Sequence, residues 1–528
     1  MSSGHLFVVH SRMENLQYDA AVVPTDDFLA VRQSWHVVLG VPRWGGGDNL
    51  DMPMLRPQEW PADFMRVPSS AGVGPRVPTW FINVGLVSAT PDDVEVLANK
   101  VRGVLTEIAV SVTEFGNGRV KPLIALPTLG VGAGGFDKIR GRVIDTLLTV
   151  CQGVVESHNV DVVITASNAS DYSAFQRQRR HLATFSTLTE PLRAKGQELA
   201  RFARTGNLAL FLGAGVSVPA GLPSWDNLLE SLARRCGMTS EELKTLDSAL
   251  DQAELITRRL GGSKGLKSAI ADEFVETTTP GMSHVQLAAL DCGEVVTTNY
   301  DSLFEAAVNA NRDESSRITV LPFEQKKPFD QWILKMHGDL EHDGDLILSR
   351  SDFVGYASTF GPVGAIVQAI MLTKHLLVVG TSLTDDNFLR LAYEVTNYLR
   401  TNAPDRQLVA ANPLGTVLDL EKNPVKESLW EGTFDVVGVS NSTNTNESAR
   451  DLSIMLDFIA MHAAEESHLL DQRYDTLLTQ PGEKDAAAHA LSLAREIEPL
   501  ASAEDDPRSG WRRLHTLLRD LGAPARSA

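Results

Sequence analysis

Two kinds of apolar pattern alternate along the first 190 residues of the chain. Short apolar runs have the length of buried strands, and between them apolar residues recur at helical spacing, as at Val101, Val104, Leu105 and Ile108. The runs are Leu6–Val9, Ala20–Val23, Trp80–Val84, Leu123–Leu126 and Val160–Thr165, and the helices are predicted over Asp92–Phe115 and Arg140–His158. Strands that alternate with helices predict an α/β layer fold.

A glycine-rich loop follows the fourth of these runs. Gly130, Gly132, Gly134 and Gly135 precede Phe136 and lead directly into the second predicted helix. Backbone N–H groups in such a loop can bind phosphate oxygens. A flexible surface loop is the alternative, but flexibility alone does not explain its position between a strand and a helix.

A second glycine turn ends the apolar run Leu208–Leu212. Gly213-Ala214-Gly215 and Ser217 follow it, and Ser224 stands where the N-cap of the next helix is expected. A strand, a glycine turn and a helix N-terminus together can hold a pyrophosphate, whereas an ordinary strand–turn–helix connection is the other interpretation.

Three later apolar runs also end in polar residues. Glu294–Thr298 is followed by Asn299 and Asp301, Trp332–Met336 by His337, and Leu376–Val379 by Gly380, Thr381 and Ser382. In an open parallel sheet, ligands bind just past the carboxyl ends of the strands. Each ending alone has an ordinary explanation, but together the four strand ends predict one binding crevice.

Composition and charge limit the classes of partner. At 528 residues the chain has room for two or three domains, and its net charge of −19 argues against a nucleic-acid or membrane surface. The one basic run, Arg177–Arg180, is expected at a solvated helix end. Cys151, Cys236 and Cys292 are too scattered for a disulfide framework or a C-x-x-C metal site.

Targeting signals are not found in the sequence. The N-terminus lacks the basic start and long apolar core of a signal peptide. The best apolar stretch, Ala365–Gly380, is interrupted by Gln368, Lys374 and His375, so we expect no membrane span and a cytoplasmic protein.

The segment from Pro122 through Phe175 resembles the second half of a macro domain, the ADP-ribose-binding module. The resemblance implies that the four loop glycines and Phe136 hold a diphosphate, with Tyr172 or Phe175 as the later aromatic. Ser11-Arg12 and Val23–Asp26 replace the residues with which macro domains read adenine and turn over ADP-ribosyl groups. We therefore expect an ADP-ribose-type ligand to bind without turnover. The stretch Gly40–Pro78 has no counterpart.

The four later strand ends, in this order, closely resemble the sirtuin NAD-binding domain. The resemblance assigns diphosphate contacts to the glycine turn, catalytic roles beside the nicotinamide ribose to the next two strand ends, and adenosine contacts to the last. The residues concerned are Gly213, Ala214, Gly215 and Ser217 for the diphosphate, Asn299, Asp301 and the base His337 for catalysis, and Thr381 and Ser382 for the adenosine side.

One departure from the sirtuin pattern changes the implied activity. Sirtuins that deacylate protein lysine carry a four-cysteine zinc module, whereas the corresponding interval here, Asp339–Lys374, contains no cysteine. The interval instead resembles the sirtuin-like domains of bacterial antiphage proteins that hydrolyse NAD. The resemblance implies NAD as substrate, no metal, and cleavage to nicotinamide and ADP-ribose. A deacylase, an ADP-ribosyltransferase and a non-catalytic nucleotide-binding regulator remain alternatives.

The domain organisation follows from these resemblances. We expect an α/β macro-like domain over residues 1–190, a Rossmann-like parallel-sheet domain of sirtuin type over 197–440, and a small helical region over 441–528. The polar stretch Asn441–Glu447 predicts a linker, and the helices after it predict an appendage without chemistry. A homo-oligomer and a partner protein from a defence system are further expectations.

Overall fold

The computed structural model describes residues 3–42, 63–68, 74–85, 89–116, 118–132, 134–182, 185–312, 316–326, 331–402, 413–503, 506 and 509–524. Its two sheets are largely parallel and are flanked by helices, which confirms the α/β class. Much of Gly40–Pro78 lies outside the described residues.

A six-stranded sheet forms the first part of the chain, in the order β1-β6-β5-β2-β4-β3. Its strands are β1 Leu6–His10, β2 Ala20–Thr25, β3 Phe64–Arg66, β4 Thr79–Asn83, β5 Leu123–Pro127 and β6 Asp161–Ala166. The helices that follow strands of this sheet are α1 Asp93–Ser111, α2 Arg140–Ser157 and α3 Ala169–Leu182. All five predicted runs are strands. The short β3 was not predicted, and it pairs antiparallel to β4.

A seven-stranded parallel sheet forms the central part, in the order β13-β12-β11-β7-β8-β10-β9. Its strands are β7 Leu208–Leu212, β8 Glu294–Thr297, β9 Thr319–Leu321, β10 Trp332–Lys335, β11 His375–Val379, β12 Gly415–Glu421 and β13 Phe434–Ser440. The chain leaves β7 towards β8 on one side and later returns to β11 on the other. The carboxyl end of β7 is therefore a topological switch point, where open α/β sheets bind ligands.

Helices cover both faces of this sheet and add a small bundle between β7 and β8. Their bounds are α4 Glu190–Arg204, α5 Trp225–Arg235, α6 Ser240–Leu243, α7 Ala249–Arg259, α8 Ser263–Phe274, α9 Met282–Ala288, α10 Leu303–Asn309, α11 Arg350–Thr359, α12 Gly361–Thr373, α13 Asp386–Asn402 and α14 Pro424–Trp430. Within the part of the chain that the structure describes, no single helix is long and apolar enough to cross a membrane. The helices α11 and α12 reach that length and composition only as a pair bent by 76°.

The first helix of the C-terminal region is buried, contrary to the expected appendage. The region contains α15 Thr445–Ala463, α16 Glu483–Ala503 and α17 Gly510–Asp520. Helix α15 packs against α4, α9, β12 and β13 of the central part and against α3 and β1 of the first part. Its residues Ile454, Met455 and Ile459 are fully buried, so α15 joins the two sheets through a shared core.

The basic run on α3 is also buried, so its prediction as a solvated helix end was wrong. Arg179 is 2% exposed, and its guanidinium donates to both oxygens of Asp457, a carboxylate of α15 with 0% exposure. The Asp457 Oδ2 atom also lies 2.8 Å from His5 Nε2. Arg180 donates to the carbonyls of Met461 and Ala464 at 3.0 and 2.6 Å. The run is buried because groups from the C-terminal region satisfy its guanidinium donors.

We expect Asp457→Ala to destabilise the protein by about 3–5 kcal/mol, because it leaves the guanidinium of Arg179 buried and unpaired. The measurement is urea unfolding followed by circular dichroism. Glu394→Ala is the control, since it breaks the exposed Arg390–Glu394 pair and is expected to cost about 0.3–0.5 kcal/mol. Equal effects of the two substitutions would contradict the structural role of Asp457.

Candidate functional site

The carboxyl ends of β7, β8, β10 and β11 enclose a cavity of about 490 Å³. Helices α5, α7 and α8 supply the opposite wall through apolar side chains, among them Trp225, Leu228 and Phe274. The structure thus brings eight of the nine residues predicted for this crevice to one cavity. These are Gly213, Ala214, Ser217, Asn299, Asp301, His337, Thr381 and Ser382.

Gly215, the ninth, packs against the backbone of Gly380, directly after β11, and does not line the cavity. Its N–H donates to the carbonyl of Gly380 at 2.8 Å, and a Cβ at this position would lie 2.8 Å from the same oxygen. A Cβ at Gly213 would lie even closer, at 2.5 Å. The glycines therefore allow the ends of β7 and β11 to approach each other, which positions Thr381 and Ser382 beside the glycine turn.

Asn299 is held with its amide in a defined orientation. The Thr297 hydroxyl donates to the Leu212 carbonyl at 2.9 Å and accepts from the Asn299 N–H at 3.0 Å, which fixes the backbone after β8. The Asn299 Nδ2 atom donates to the Gly213 carbonyl at 3.2 Å and to Ser217 Oγ at 3.3 Å. Its Oδ1 atom is buried and has no hydrogen-bond partner among the described residues. This acceptor is thus left without a partner in a residue that lines the cavity.

Ser217 is the centre of a buried hydrogen-bond network. Its Oγ donates to Asp301 Oδ2 at 3.0 Å and lies 3.1 Å from His284 Nε2. Asp301 Oδ1 in turn accepts from the Leu303 N–H at the start of α10. Ser217 is only 2% exposed, so its hydroxyl faces the protein network. The diphosphate contact assigned to Ser217 by resemblance stays a prediction.

Sequence reasoning missed His284. This residue lies on α9 and is 1% exposed, and burial lowers the pKa of its imidazole to about 4 in spite of the neighbouring Asp301 carboxylate. The histidine is therefore neutral at pH 7. Its apolar surroundings in Met282–Ala288 predict only a core helix, and its partner Ser217 is 67 residues away in the chain. No local signal could have identified it.

Lys335 supports the Asp301 loop from within the sheet and was also missed. Its side chain is 0% exposed, and its ammonium lies 2.7 Å from Glu305 Oε1 and 3.0 Å from Asp339 Oδ1. It also donates to the Asp301 carbonyl. Burial alone would lower the pKa of Lys335, but the surrounding carboxylates raise it, so the side chain is charged. A lysine inside an apolar strand was the available sequence signal.

His337 faces the cavity from the end of β10. Its Nε2 atom lies 3.3 Å from Asp385 Oδ2 but makes no hydrogen bond with any described residue, because the geometry is unfavourable. Burial lowers the pKa of His337 below 6.5, and Asp385 and Asp352 partly oppose that shift. Phe353 packs edge-on against the imidazole at 5.3 Å. The residue is thus a neutral imidazole at pH 7, and its buried Nε2 has no hydrogen-bond partner among the described residues.

The first sheet carries a second cavity, of about 760 Å³, at the carboxyl ends of its strands. Gly130, Gly132 and Gly134 line it, as predicted, together with Ser11-Arg12 and Asp26. Gly135 does not line it. Phe136 is 1% exposed and lies behind the loop, where a Cβ on Gly130 would be 2.8 Å from its ring.

The two aromatic residues considered for this cavity, Tyr172 and Phe175, do not line it. Tyr172 stacks on His10 at 5.3 Å, and Phe175 is fully buried in the core. The C-terminal region contacts one lining residue of this cavity, since the Tyr474 hydroxyl donates to Asp171 Oδ1 at 2.7 Å. Neither aromatic is therefore placed to stack on a ligand in this cavity.

Among the described residues, no group of three histidine, cysteine, aspartate or glutamate side chains is arranged to hold a metal ion. The absence of zinc nevertheless stays a prediction.

Part of the central sheet matches a known family model. The model of the SIR2-like domain family matches residues 293–433, which include Asn299, Asp301, His337, Thr381 and Ser382. A solved structure described as "Structural Basis for the Mechanism and Regulation of Sir2 Enzymes" overlaps 51% of this chain and 98% of its own, at 16% identity and a TM-score of 0.28. That overlap is too weak to support an argument about the fold.

Among curated proteins, the chain is similar to "NAD(+) hydrolase ThsA" of Bacillus cereus (strain MSX-D12), with 32% identity over 36% of this chain and 41% of the relative. The protein of the same name from Enterococcus faecium is 30% identical over 37% of this chain and 41% of its own length. "Defense-associated sirtuin 2" of Bacillus subtilis is 22% identical over 36% of this chain and 19% of its own. The match to the two hydrolases spans about two fifths of their length.

Proposed function

We propose that this chain is a cytoplasmic NAD+ hydrolase of bacterial antiphage defence. It cleaves the nicotinamide–ribose bond, releases nicotinamide and ADP-ribose, and depletes NAD+ in the infected cell. The observation that carries this proposal is the convergence of Asn299, Asp301 and His337 on one cavity beside the glycine turn of β7. The names of the similar hydrolases support it. The match to the SIR2-like family model supports it as well, because the matched segment contains all three residues.

The chemistry required is modest and matches these side chains. Nicotinamide leaves as a neutral molecule from a cationic ring, so the transition state is an electron-deficient ribose that a water molecule attacks. The free Asn299 Oδ1 accepts a hydrogen bond from that water or from a ribose hydroxyl. The neutral His337 accepts the proton. Asp301 holds the arrangement through Ser217.

We expect Asn299→Ala and His337→Ala each to reduce NAD+ hydrolysis by about 10²–10³-fold, because each removes an interaction with the reacting ribose or water. The measurement is cellular NAD+ and nicotinamide by mass spectrometry during phage infection. Asn207→Ala and His375→Ala are matched controls, since both residues lie at the opposite end of the same sheet.

Wild-type NAD+ loss in folded Asn299→Ala and His337→Ala proteins would contradict the active-site assignment. Purified wild-type protein separates the alternatives. Nicotinamide release that requires an acylated peptide would indicate a deacylase, transfer of ADP-ribose to protein would indicate a transferase, and binding of intact NAD+ would indicate a regulator.

A pH profile tests the role of His337 as a base. Because burial lowers its pKa below 6.5, we expect hydrolysis to persist below pH 6.5 and to decline only as the pH falls through the lowered value. The carboxylate of Asp385 raises that pKa, so Asp385→Asn should move the acidic limb of kcat to lower pH. Asp226→Asn, which changes another carboxylate of the cavity, should leave the limb in place. If Asp385→Asn does not move the acidic limb of the kcat profile, the assignment of His337 as the base is contradicted.

The same proposal makes the first domain a macro-like sensor that binds an ADP-ribose-type ligand and regulates hydrolysis. Hydrogen bonds between segments that lie next to the two cavities support regulation. Met13 and Glu14 line the first cavity, and Gln17 follows them closely in the chain. The Gln17 side chain donates to the carbonyls of Ala220 and Thr279, at 2.8 and 3.0 Å.

These two carbonyls belong to segments that lead to Ser217 and His284, two members of the buried hydrogen-bond network. Ala220 lies in the turn directly after Ser217, and Thr279 lies shortly before His284. A second contact joins the Asn311 side chain, after α10, to the His10 carbonyl at the end of β1, at 3.0 Å. Movement of the first cavity's rim would therefore displace the backbone around Ser217. If the ligand of the first cavity binds the active state a hundredfold more tightly than the resting state, the coupling free energy between ligand binding and activation is about 2.7 kcal/mol.

We expect Gly132→Glu to abolish NAD+ loss during infection, because its carboxylate would occupy the predicted phosphate site. A Cβ at Gly132 meets no atom within 4 Å, so the loop tolerates the change, whereas a Cβ at Gly134 would lie 2.7 Å from the Gly130 backbone. Gly153→Glu on α2 adds the same charge away from the cavity and serves as control. NAD+ loss at the wild-type rate in a folded Gly132→Glu protein would contradict the sensor.

A homo-oligomer and a partner protein from the defence system are further parts of this proposal. Analytical ultracentrifugation with and without an ADP-ribose-type ligand tests the first of them.

A further inference from the structure

We propose that a short helix of the C-terminal region is a positioning element of the first cavity and holds the glycine-rich loop after β5 in the conformation that binds a diphosphate. This element is the C-terminal 3₁₀-helix, Gln472–Leu477. The inference rests on the proposed role of the first domain as a sensor of an ADP-ribose-type ligand. The contacts run from the C-terminal 3₁₀-helix to two carboxylates, from these to Arg140, and from Arg140 to the loop.

Arg140, the first residue of α2, holds the glycine-rich loop by a carbonyl. Its Nη2 atom donates to the Val131 carbonyl at 3.0 Å. Its Nη1 atom donates to both oxygens of Asp171 at 2.9 and 2.8 Å, and its Nε atom donates to Asp137 Oδ1 at 2.8 Å. All three guanidinium nitrogens are thus engaged, and the two carboxylates fix the orientation of the side chain that meets the loop.

Two side chains of the C-terminal 3₁₀-helix bind the same two carboxylates. The Tyr474 hydroxyl donates to Asp171 Oδ1 at 2.7 Å, and Arg473 Nη1 donates to Asp137 Oδ1 at 3.0 Å. Tyr474 and Asp171 are each 1% exposed, whereas the Asp137 side chain is 48% exposed, so the tyrosine contact is the less screened of the two. Without the Tyr474 hydroxyl, Asp171 loses one of the donors that fix its carboxylate, and Arg140 is held less firmly.

A glycine in the first turn of α2 allows the C-terminal 3₁₀-helix to approach. A Cβ at Gly141 would lie 2.4 Å from Thr476 Oγ1 and 3.1 Å from Leu477 Cγ. Tyr474 and Leu477 are buried in the hydrophobic core that β5 and α2 share. The helix is therefore built into the first domain, although Tyr474 is 303 residues from Asp171 in the chain. Residues 1–190 do not contain the whole support of their own glycine-rich loop.

The glycine-rich loop needs such support to bind a ligand tightly. Glycine has more backbone conformations to lose than any other residue, and Gly130 and Gly135 are held in the left-handed region, with φ of +77° and +86°. A loop whose backbone N–H groups are already in place does not have to be ordered during binding. Arg140 and Asp171 line the cavity but Tyr474 does not, so we expect Tyr474 to set the affinity through these two residues.

Tyr474→Phe tests the contact by removing the hydroxyl while the ring stays in the core. We expect it to raise the Kd of the full-length protein for ADP-ribose about 10-fold, the order of loss known for residues that orient a metal ligand from behind. Isothermal titration calorimetry measures the Kd, and the heat that is lost in Gly132→Glu identifies binding to the first cavity. Tyr356→Phe is the matched control: it removes another buried hydroxyl, which donates to the Met336 carbonyl at 3.3 Å, and should leave this Kd unchanged.

A second pair of variants displaces the C-terminal 3₁₀-helix as a whole. Gly141→Leu forces it away from α2 and should raise the Kd for ADP-ribose at least as much as Tyr474→Phe does. Gly153→Leu, on the same helix α2, is the control, since a Cβ there meets no atom within 4 Å. Hydrogen exchange followed by mass spectrometry should show faster exchange of the peptide that contains Gly130 in Tyr474→Phe than in wild-type protein.

An unchanged Kd for ADP-ribose in folded Tyr474→Phe protein would overturn the proposal, because a helix that only stabilises the fold lowers the free energy of unfolding without changing ligand affinity. If wild-type protein does not bind ADP-ribose in the first cavity, the proposed sensor role is contradicted instead. Hydrogen exchange then decides the positioning. Faster exchange of the Gly130 peptide in Tyr474→Phe, but not in Tyr356→Phe, supports it, and equal exchange in wild-type and Tyr474→Phe protein overturns it.

Discussion

The end of β7 and the end of β11 approach so closely that neither Gly213 nor Gly215 can carry a side chain. A Cβ on either residue would lie within 2.8 Å of the Gly380 carbonyl, which itself follows β11 in a left-handed conformation with φ of +75°. Glycine is the residue that adopts this conformation without strain. The close approach brings the turn after β7 within reach of Asn299 on one side and of Thr381 on the other. The cavity therefore depends on a contact between two backbones.

Hydrogen bonds and ion pairs fix the orientation of the polar side chains behind the cavity. The Ser217 hydroxyl joins residues from three separate segments of the chain, and Lys335 neutralises the carboxylates beneath the Asp301 loop. Unpaired polar groups in such an interior would cost free energy, so a nearly complete network also rigidifies the site. Among the buried side-chain atoms that have no hydrogen-bond partner in the described part of the chain are Asn299 Oδ1 and His337 Nε2. Both belong to residues that line the cavity, where a substrate can satisfy them.

Much of this arrangement was predictable from the sequence, because the strands that carry chemistry are apolar runs ended by glycine or polar residues. Strand β12 was missed since its second half, Asp419–Glu421, alternates polar and apolar side chains, and β9 has only three residues. His284 and the buried Arg179 were missed for a different reason. Their partners are 67 and 278 residues away, and the sequence of α3 does not indicate that Asp457 faces it. Local patterns predict elements well, whereas the pairing of buried charges depends on tertiary structure.

The buried contacts of α15 also limit how the proposed regulation by the first cavity could work. A ligand shifts an equilibrium only by binding one state better than the other, so the proposed regulation requires an element with two arrangements. Rotation of one sheet against the other would break the Arg179–Asp457 pair and uncover the core around Ile459, which is costly. Hydrogen bonds to the carbonyls of Ala220, Thr279 and Pro280 join the segment that contains Met13 and Gln17 to the central part. A local shift of this segment, with the sheets fixed, would leave the Arg179–Asp457 pair intact and is therefore the less costly route for the proposed regulation.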